Sequence, residues 1–199
     1  MFKHVIAIFS KPEEVWRALR SEELSVASLY IQVIVPLSFI PPVAGYYGTT
    51  HHGWQVGNSP AIKLTSDSAL PISIMYFIAL LAAFYIIAQL IHWMSSTYGE
   101  RQPFARCLAL AIFSAIPLLL SGIAQIYPEL WINLLIGLIG MTYAVYLLYR
   151  GVPIIMDISD QQGFLFASAV LAASLVSLVA TLAASVILWD FGIGPAFTY

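Results

Sequence analysis

Five stretches of this sequence run for about 20 residues or more without a charged side chain, and they dominate every other feature. They lie at about 24–46, 70–93, 107–127, 130–149 and 164–189. A helix needs roughly 20 apolar residues to cross a hydrocarbon layer about 30 Å thick, and each stretch reaches that length. The second carries twelve Leu, Ile and Phe, worth roughly −4 to −7 kcal/mol on an insertion scale before polar penalties. Within lipid every backbone N–H and C=O must find a partner inside its own segment, so helices are the expected form. The two-residue alternation of a membrane β-barrel is missing. The expected fold is all-α: a polytopic membrane protein with five transmembrane helices and a short N-terminal interfacial amphipathic helix.

Composition narrows the function classes. Of 199 residues, 60% are apolar and 9% charged, with a formal charge of −2. A soluble domain carries about a quarter charged residues. A soluble enzyme and a disordered chain are therefore poor fits, and no basic surplus exists to neutralise nucleic-acid phosphates. The single cysteine, Cys107, permits neither an internal disulfide nor a cysteine-rich zinc site. Lys3 and His4 precede only five apolar residues before Lys11, too short a core for a cleavable signal, so the N terminus is expected to be retained.

Lys and Arg set the expected orientation. With five crossings, Lys3, Lys11, Arg17, Arg20, Arg101, Arg106 and Arg150 share one side, and only Lys63 lies on the other. That asymmetry predicts a cytoplasmic N terminus and an external tail at 190–199. Trp93, Tyr98, Tyr127, Trp131, Tyr149 and Trp189 fall near span ends, as an interfacial aromatic belt requires. Span one is the weakest, because Pro36 and Pro41-Pro42 interrupt it. Proline removes a backbone donor and clashes with the preceding turn, so a kinked crossing broken near Ile40 is expected.

Residues 1–23 form a separate N-terminal segment, followed by the membrane domain at 24–189. Ser10 is the expected cap of a helix opened by Pro12, Glu13 and Glu14. Val15, Trp16 and Leu19 give it an apolar edge beside Arg17 and Arg20, the pattern of a helix lying on the inner interface. Phe2, Val5, Ile6 and Phe9 form a second apolar patch. The segment serves as an anchor or as a docking surface for a cytoplasmic protein partner.

Several motifs together carry a family resemblance. They are Phe2-Lys3-His4-Val5 with Phe9-Ser10-Lys11-Pro12, Gly48-Thr49-Thr50 with Gly53-Trp54 and Leu64, and Trp93-Met94 with Tyr98. Pro117 to Gly122 with Tyr127-Pro128, and Tyr146 to Tyr149 with Gly151-Val152-Pro153, complete the set. In this order, over nearly the whole chain, the sequence resembles the bacterial branch of the Yip family. The resemblance implies a five-helix domain of the bacterial inner membrane, N terminus inside and C terminus outside, in agreement with the charge count. Eukaryotic Yip proteins bind Rab-type GTPases. This sequence shows neither their long soluble N-terminal region nor their Asp-Leu-Tyr-Gly-Pro motif, so no Rab partner is carried over. The bacterial branch brings no activity with it.

Polar residues inside spans mark helix contacts or a solute path. Gln89, His92, Ser114, Ser121, Gln125 and Asn133 are the candidates for a polar cavity between spans two, three and four, the alternative being interhelical hydrogen bonds of about 0.6 kcal/mol each. No Asp, Glu, Lys or Arg falls at an expected bilayer centre, which argues against an ion-driven pump. Ala169, Ala173, Ser177, Thr181 and Ser185 form a small-residue stripe on span five, joined by Gly140 and Ala144 (with Gly137 close by) on span four. Such stripes let helices approach closely, within one chain or between copies in a homo-oligomer.

No cofactor or metal is expected. His51 and His52 are adjacent, so their side chains diverge, and no Cys, Asp or Glu follows until Asp67. Asp157 and Asp160, after the apolar Val152, Ile154, Ile155 and Met156 of a loop expected to dip into the interface, have the oxygen chemistry for Mg²⁺ but read as a helix cap and a solvated turn. Asp190-Phe191-Gly192 stands without the companions of a kinase motif. The expected role is a non-enzymatic membrane scaffold or organising factor; the alternative is a small-solute or ion transporter.

Overall fold

The structure is a computed structural model and describes residues 1–54, 61–98, 101–190 and 194–198. Nine α-helices are described, joined by π and 3-10 turns. Five stretches are long and apolar enough to cross a membrane: Val26–His52, Ser66–Thr97, Phe104–Ile126, Leu130–Met156 and Asp160–Ala184. The all-α, polytopic expectation holds.

Span one is a mosaic. Helices α3 (Val26–Leu29), α4 (Val35–Ser38) and α5 (Ile40–Tyr47) are joined by a π turn at Tyr30–Ile34, and a second π turn, Gly48–His52, follows α5. The expected break falls at Phe39, one residue before Ile40. Pro41 and Pro42 do not end the helix, because they sit in the first turn of α5, where a missing N–H costs nothing. The π turn lies just ahead of Pro36, widening the backbone where that proline cannot donate.

Helix α6 (Ser66–Tyr98) has 33 residues and starts before its expected apolar boundary. Helix α7 (Phe104–Ser121), extended by a 3-10 turn at Gly122–Ile126, is the axis of the bundle. Every residue from Cys107 to Phe113 is buried. Helix α8 (Leu130–Met156) runs on through the segment expected to be a loop dipping into the interface. Val152, Ile155 and Met156 are instead helical and buried against protein. Asp157 ends α8 in the left-handed conformation, and α9 (Asp160–Asp190) follows.

The N-terminal segment forms the expected short amphipathic helix, and its apolar face meets protein. Helix α2 (Pro12–Ser21) buries Val15, Trp16 and Leu19 inside the bundle. Its contacts advance in step with α8: Phe9 stacks on Tyr143, Glu13 pairs with Arg150 at 3.2 Å, and Arg20 pairs with Asp157. Helix α1 (Phe2–Ala7) runs back the other way, and His4 meets Glu22 at 3.0 Å. The two helices form a hairpin whose tip reaches Tyr143, seven residues or about 10 Å along α8 from Arg150. Lys11, not Ser10, holds the cap position of α2; the Ser10 hydroxyl turns back toward the Ala7 carbonyl. The apolar face left uncovered belongs to α1, where Phe2 and Ile6 are 63% and 70% exposed.

Trp16 is the deepest of these contacts. Its ring lies edge-on to Phe113, with centroids 6.4 Å apart. A β-carbon at Gly151 would stand 2.7 Å from the indole, so glycine is required there for close approach.

At the opposite end, strand β1 (Lys63–Leu64) pairs antiparallel with β2 (Phe197–Thr198), and Trp54 bridges Ile62. This ladder holds the C-terminal residues against the loop between spans one and two, at the far end from the α1–α2 hairpin. Trp93, Tyr127 and Trp131 are exposed near span ends, whereas the side chains of Tyr98 and Trp189 lie outside the described residues. So does the Phe191-Gly192 part of Asp190-Phe191-Gly192.

Candidate functional site

Helix geometry puts residues three and four apart on one side. On α6 this sets Tyr85, Ile86, Gln89, Leu90, His92 and Trp93 along a cleft of about 450 Å³ near the α1–α2 end, and Arg101 closes it from the connection to α7. Gln89 Nε2 donates to the Tyr85 hydroxyl at 3.4 Å. His92 Nδ1 lies 2.7 Å from the Gln102 carbonyl, which only accepts, so Nδ1 donates to it. Phe104 backs both side chains, its ring 5.3 Å from Tyr85 and 6.2 Å from His92.

Gln102, which the sequence reading passed over, pins this connection. Its amide donates to the Met156 carbonyl at 3.1 Å, its side-chain oxygen accepts from Arg106 at 3.0 Å, and its backbone N–H reaches Ser95 Oγ at 3.3 Å. The Ser95 hydroxyl in turn donates to the His92 carbonyl. One buried glutamine thereby ties α6, α7 and the end of α8 together and fixes where Arg101 stands. A polar side chain just before a proline and a helix start was the signal available in the sequence.

The other cavity candidates lie elsewhere. The Ser114 hydroxyl is buried in α7 with no hydrogen-bond partner, and Ser38 of α4 shares that condition. Ser121 donates to the Leu118 carbonyl of its own helix and packs at Gly140. Gln125 sits in the 3-10 turn, where its backbone carbonyl would collide with a β-carbon at Gly48. Asn133 donates to the Tyr127 and Glu129 carbonyls and closes the turn into α8. Of the six, the cleft gathers Gln89 and His92.

The stripe on α9 lies beside the buried face rather than on it. Gly163, Phe166, Ala167 and Val170 make that face, while Ala169, Ala173 and Ser177 are half-buried and Thr181 is exposed. Ser177 and Thr181 donate to carbonyls one turn back. The side chain of Ser185 lies outside the described residues. Gly140 packs on α7, Ala144 is half-buried, and Gly137 has open space around it. Asp157 is held by Arg20, and among the described residues no three His, Cys, Asp or Glu stand close enough to share a metal. His51 and His52 stack around Tyr47, and His52 also meets Tyr127.

A family model described as the Yip1 domain matches residues 6–181, from α1 to well into α9. The chain belongs to the Yip family. Two relatives, both named inner membrane protein YohC, come from Escherichia coli K12 and from a second E. coli strain, O6:H1. Each is 32% identical over 189 residues, which is 95% of this chain and 97% of the relative. No solved structure matches. With its five apolar helices, this Yip protein is a multi-pass inner-membrane protein. The Yip match takes in α2, in keeping with Trp16 lying in the bundle core rather than on an appendage.

Proposed function

We propose that this Yip protein is a non-enzymatic scaffold that organises the inner membrane, with its N terminus in the cytoplasm. One observation carries the reading: the α1–α2 hairpin is built into one end of the bundle, where Trp16 and Leu19 are fully buried against the axis helix and α8. That arrangement supports a rigid, dry platform presenting Phe2, Lys3 and Ile6 outward, toward a lipid surface or a protein partner. The scatter of Ser114, Ser121, Gln125 and Asn133, each in a separate local setting, weighs against a continuous solute path through spans two, three and four. A homodimer through the outer part of α9 is compatible with the same role.

Reconstitution tests it. Liposomes holding the full chain are expected to pass ions and small solutes no faster than protein-free liposomes. A flux abolished by Gln89→Ala and Asn133→Ala in folded protein would establish the transporter reading instead. For docking, deleting residues 1–20 would remove Trp16 from the core and confound the result. The cleaner comparison is in-cell crosslinking of the natural chain against a Phe2→Ser, Ile6→Ser double variant, which is expected to lose the partner while keeping the fold.

A further inference from the structure

We infer that the cleft on α6 binds the phosphate of an anionic phospholipid headgroup, with Arg101 as its cation. Charge is the first argument. Lys11, Arg17, Arg20 and Arg150 each hold a carboxylate, and Arg106 holds Gln102. Among the described residues Arg101, Lys3 and Lys63 have no such partner, Arg101 alone of the three lines the cleft, and no acidic side chain lines it. Gln89 keeps one amide N–H and its oxygen after bonding Tyr85, and the exposed Trp93 adds an indole at the level where interfacial tryptophans sit.

The second argument is the shape of the floor. From Trp93 down to Tyr85 the cleft descends eight residues, about 12 Å, into the apolar run of α6. Ile86 and Leu90 are the aliphatic residues of its wall. A soluble anion would satisfy the mouth and leave that wall bare, whereas a lipid places phosphate at Arg101 and acyl chain along Ile86 and Leu90. Basic residues just beyond the cytoplasmic end of a span attract anionic headgroups. Gln102 acts here as a positioning residue, because its three hydrogen bonds hold the backbone that carries Arg101. The inference stands apart from the scaffold reading, since a transporter of this shape would carry the same cleft.

The test uses the full chain in a neutral detergent, titrated with phosphatidylglycerol or phosphatidylcholine, with bound lipid counted by native mass spectrometry. Phosphatidylglycerol is expected to bind about fivefold more tightly, the factor one interfacial cation supplies. Arg101→Gln is expected to bring the two lipids to parity, while Arg101→Lys and the control Arg17→Gln keep the preference. Arg101 is exposed, so neither substitution disturbs the core. Equal binding by the natural chain, or a preference that survives Arg101→Gln, would overturn the inference. So would displacement of phosphatidylglycerol by millimolar inorganic phosphate, which would mark a site for soluble anions.

Discussion

The two ends of this molecule are built differently. At the α1–α2 end, α2, α3, α6 and α8 pack on the axis helix, and Trp16, Leu19, Leu110, Phe113, Leu147, Val152 and Phe166 are all closed off. At the opposite end the outer parts of α8 and α9 expose apolar side chains: Trp131 is 76% exposed and Val179 65%. All five spans are apolar, so hydrophobicity alone does not select which residues meet each other. In lipid a leucine gains little by leaving acyl chains for another leucine, so helix contact depends on shape and hydrogen bonds. The packed end has those devices: Gly151 admits the Trp16 ring, Gln102 bonds three elements, and Arg20 and Arg150 hold acids across the hairpin. The outer parts of α8 and α9 have serine and threonine hydroxyls that bond within their own helices, such as Thr181 to Ser177.

If the contrast is right, matched substitutions at the two ends will differ sharply. Trp16→Ala should cost about 3–5 kcal/mol, the usual range for emptying an aromatic site in a core, while Trp131→Ala should change stability by less than about 0.5 kcal/mol. Thermal unfolding of both in one detergent measures the difference, and equal losses would erase the comparison. Gly151→Ala forces a methyl into the indole and should cost about 1–3 kcal/mol, whereas Gly137→Ala, with open space around it, should be neutral or slightly stabilising. Gln102→Leu should cost about 1–3 kcal/mol, because the buried Met156 carbonyl loses its donor. Glu13→Gln should cost no more than about 1 kcal/mol, since its pairs with Arg17 and Arg150 are partly exposed. A loss above about 2 kcal/mol there would mean that charge, rather than Trp16, seats the hairpin.

Some of this architecture is legible from residues alone and some is not. The five crossings follow from uncharged length, and the break near Ile40 follows from Pro41-Pro42. The apolar edge Val15, Trp16, Leu19 is equally visible, but periodicity says only that a face is buried, not whether lipid or protein buries it. The continuation of α8 past Arg150 was hidden by Gly151 and Pro153, both of which read as loop residues. Gly151 sits there to admit Trp16, a contact 135 residues distant in sequence. The candidate cavity shows the same divide. Gln89 and His92 share a face by helical spacing alone, yet Asn133 serves a turn and Ser121 its own helix, which no spacing rule distinguishes from a cavity lining.

The sequence by itself determined the solvent, the number of crossings and the helical class, because the cost of an unpaired backbone group in hydrocarbon leaves no other solution. Only the tertiary structure decided that the N-terminal hairpin enters the bundle, that Gln102 locks three elements together, and that Arg101 stands over a cleft. Those outcomes depend on which surfaces fit one another at a few ångströms, and that fit is set by the relative placement of distant segments rather than by any local pattern.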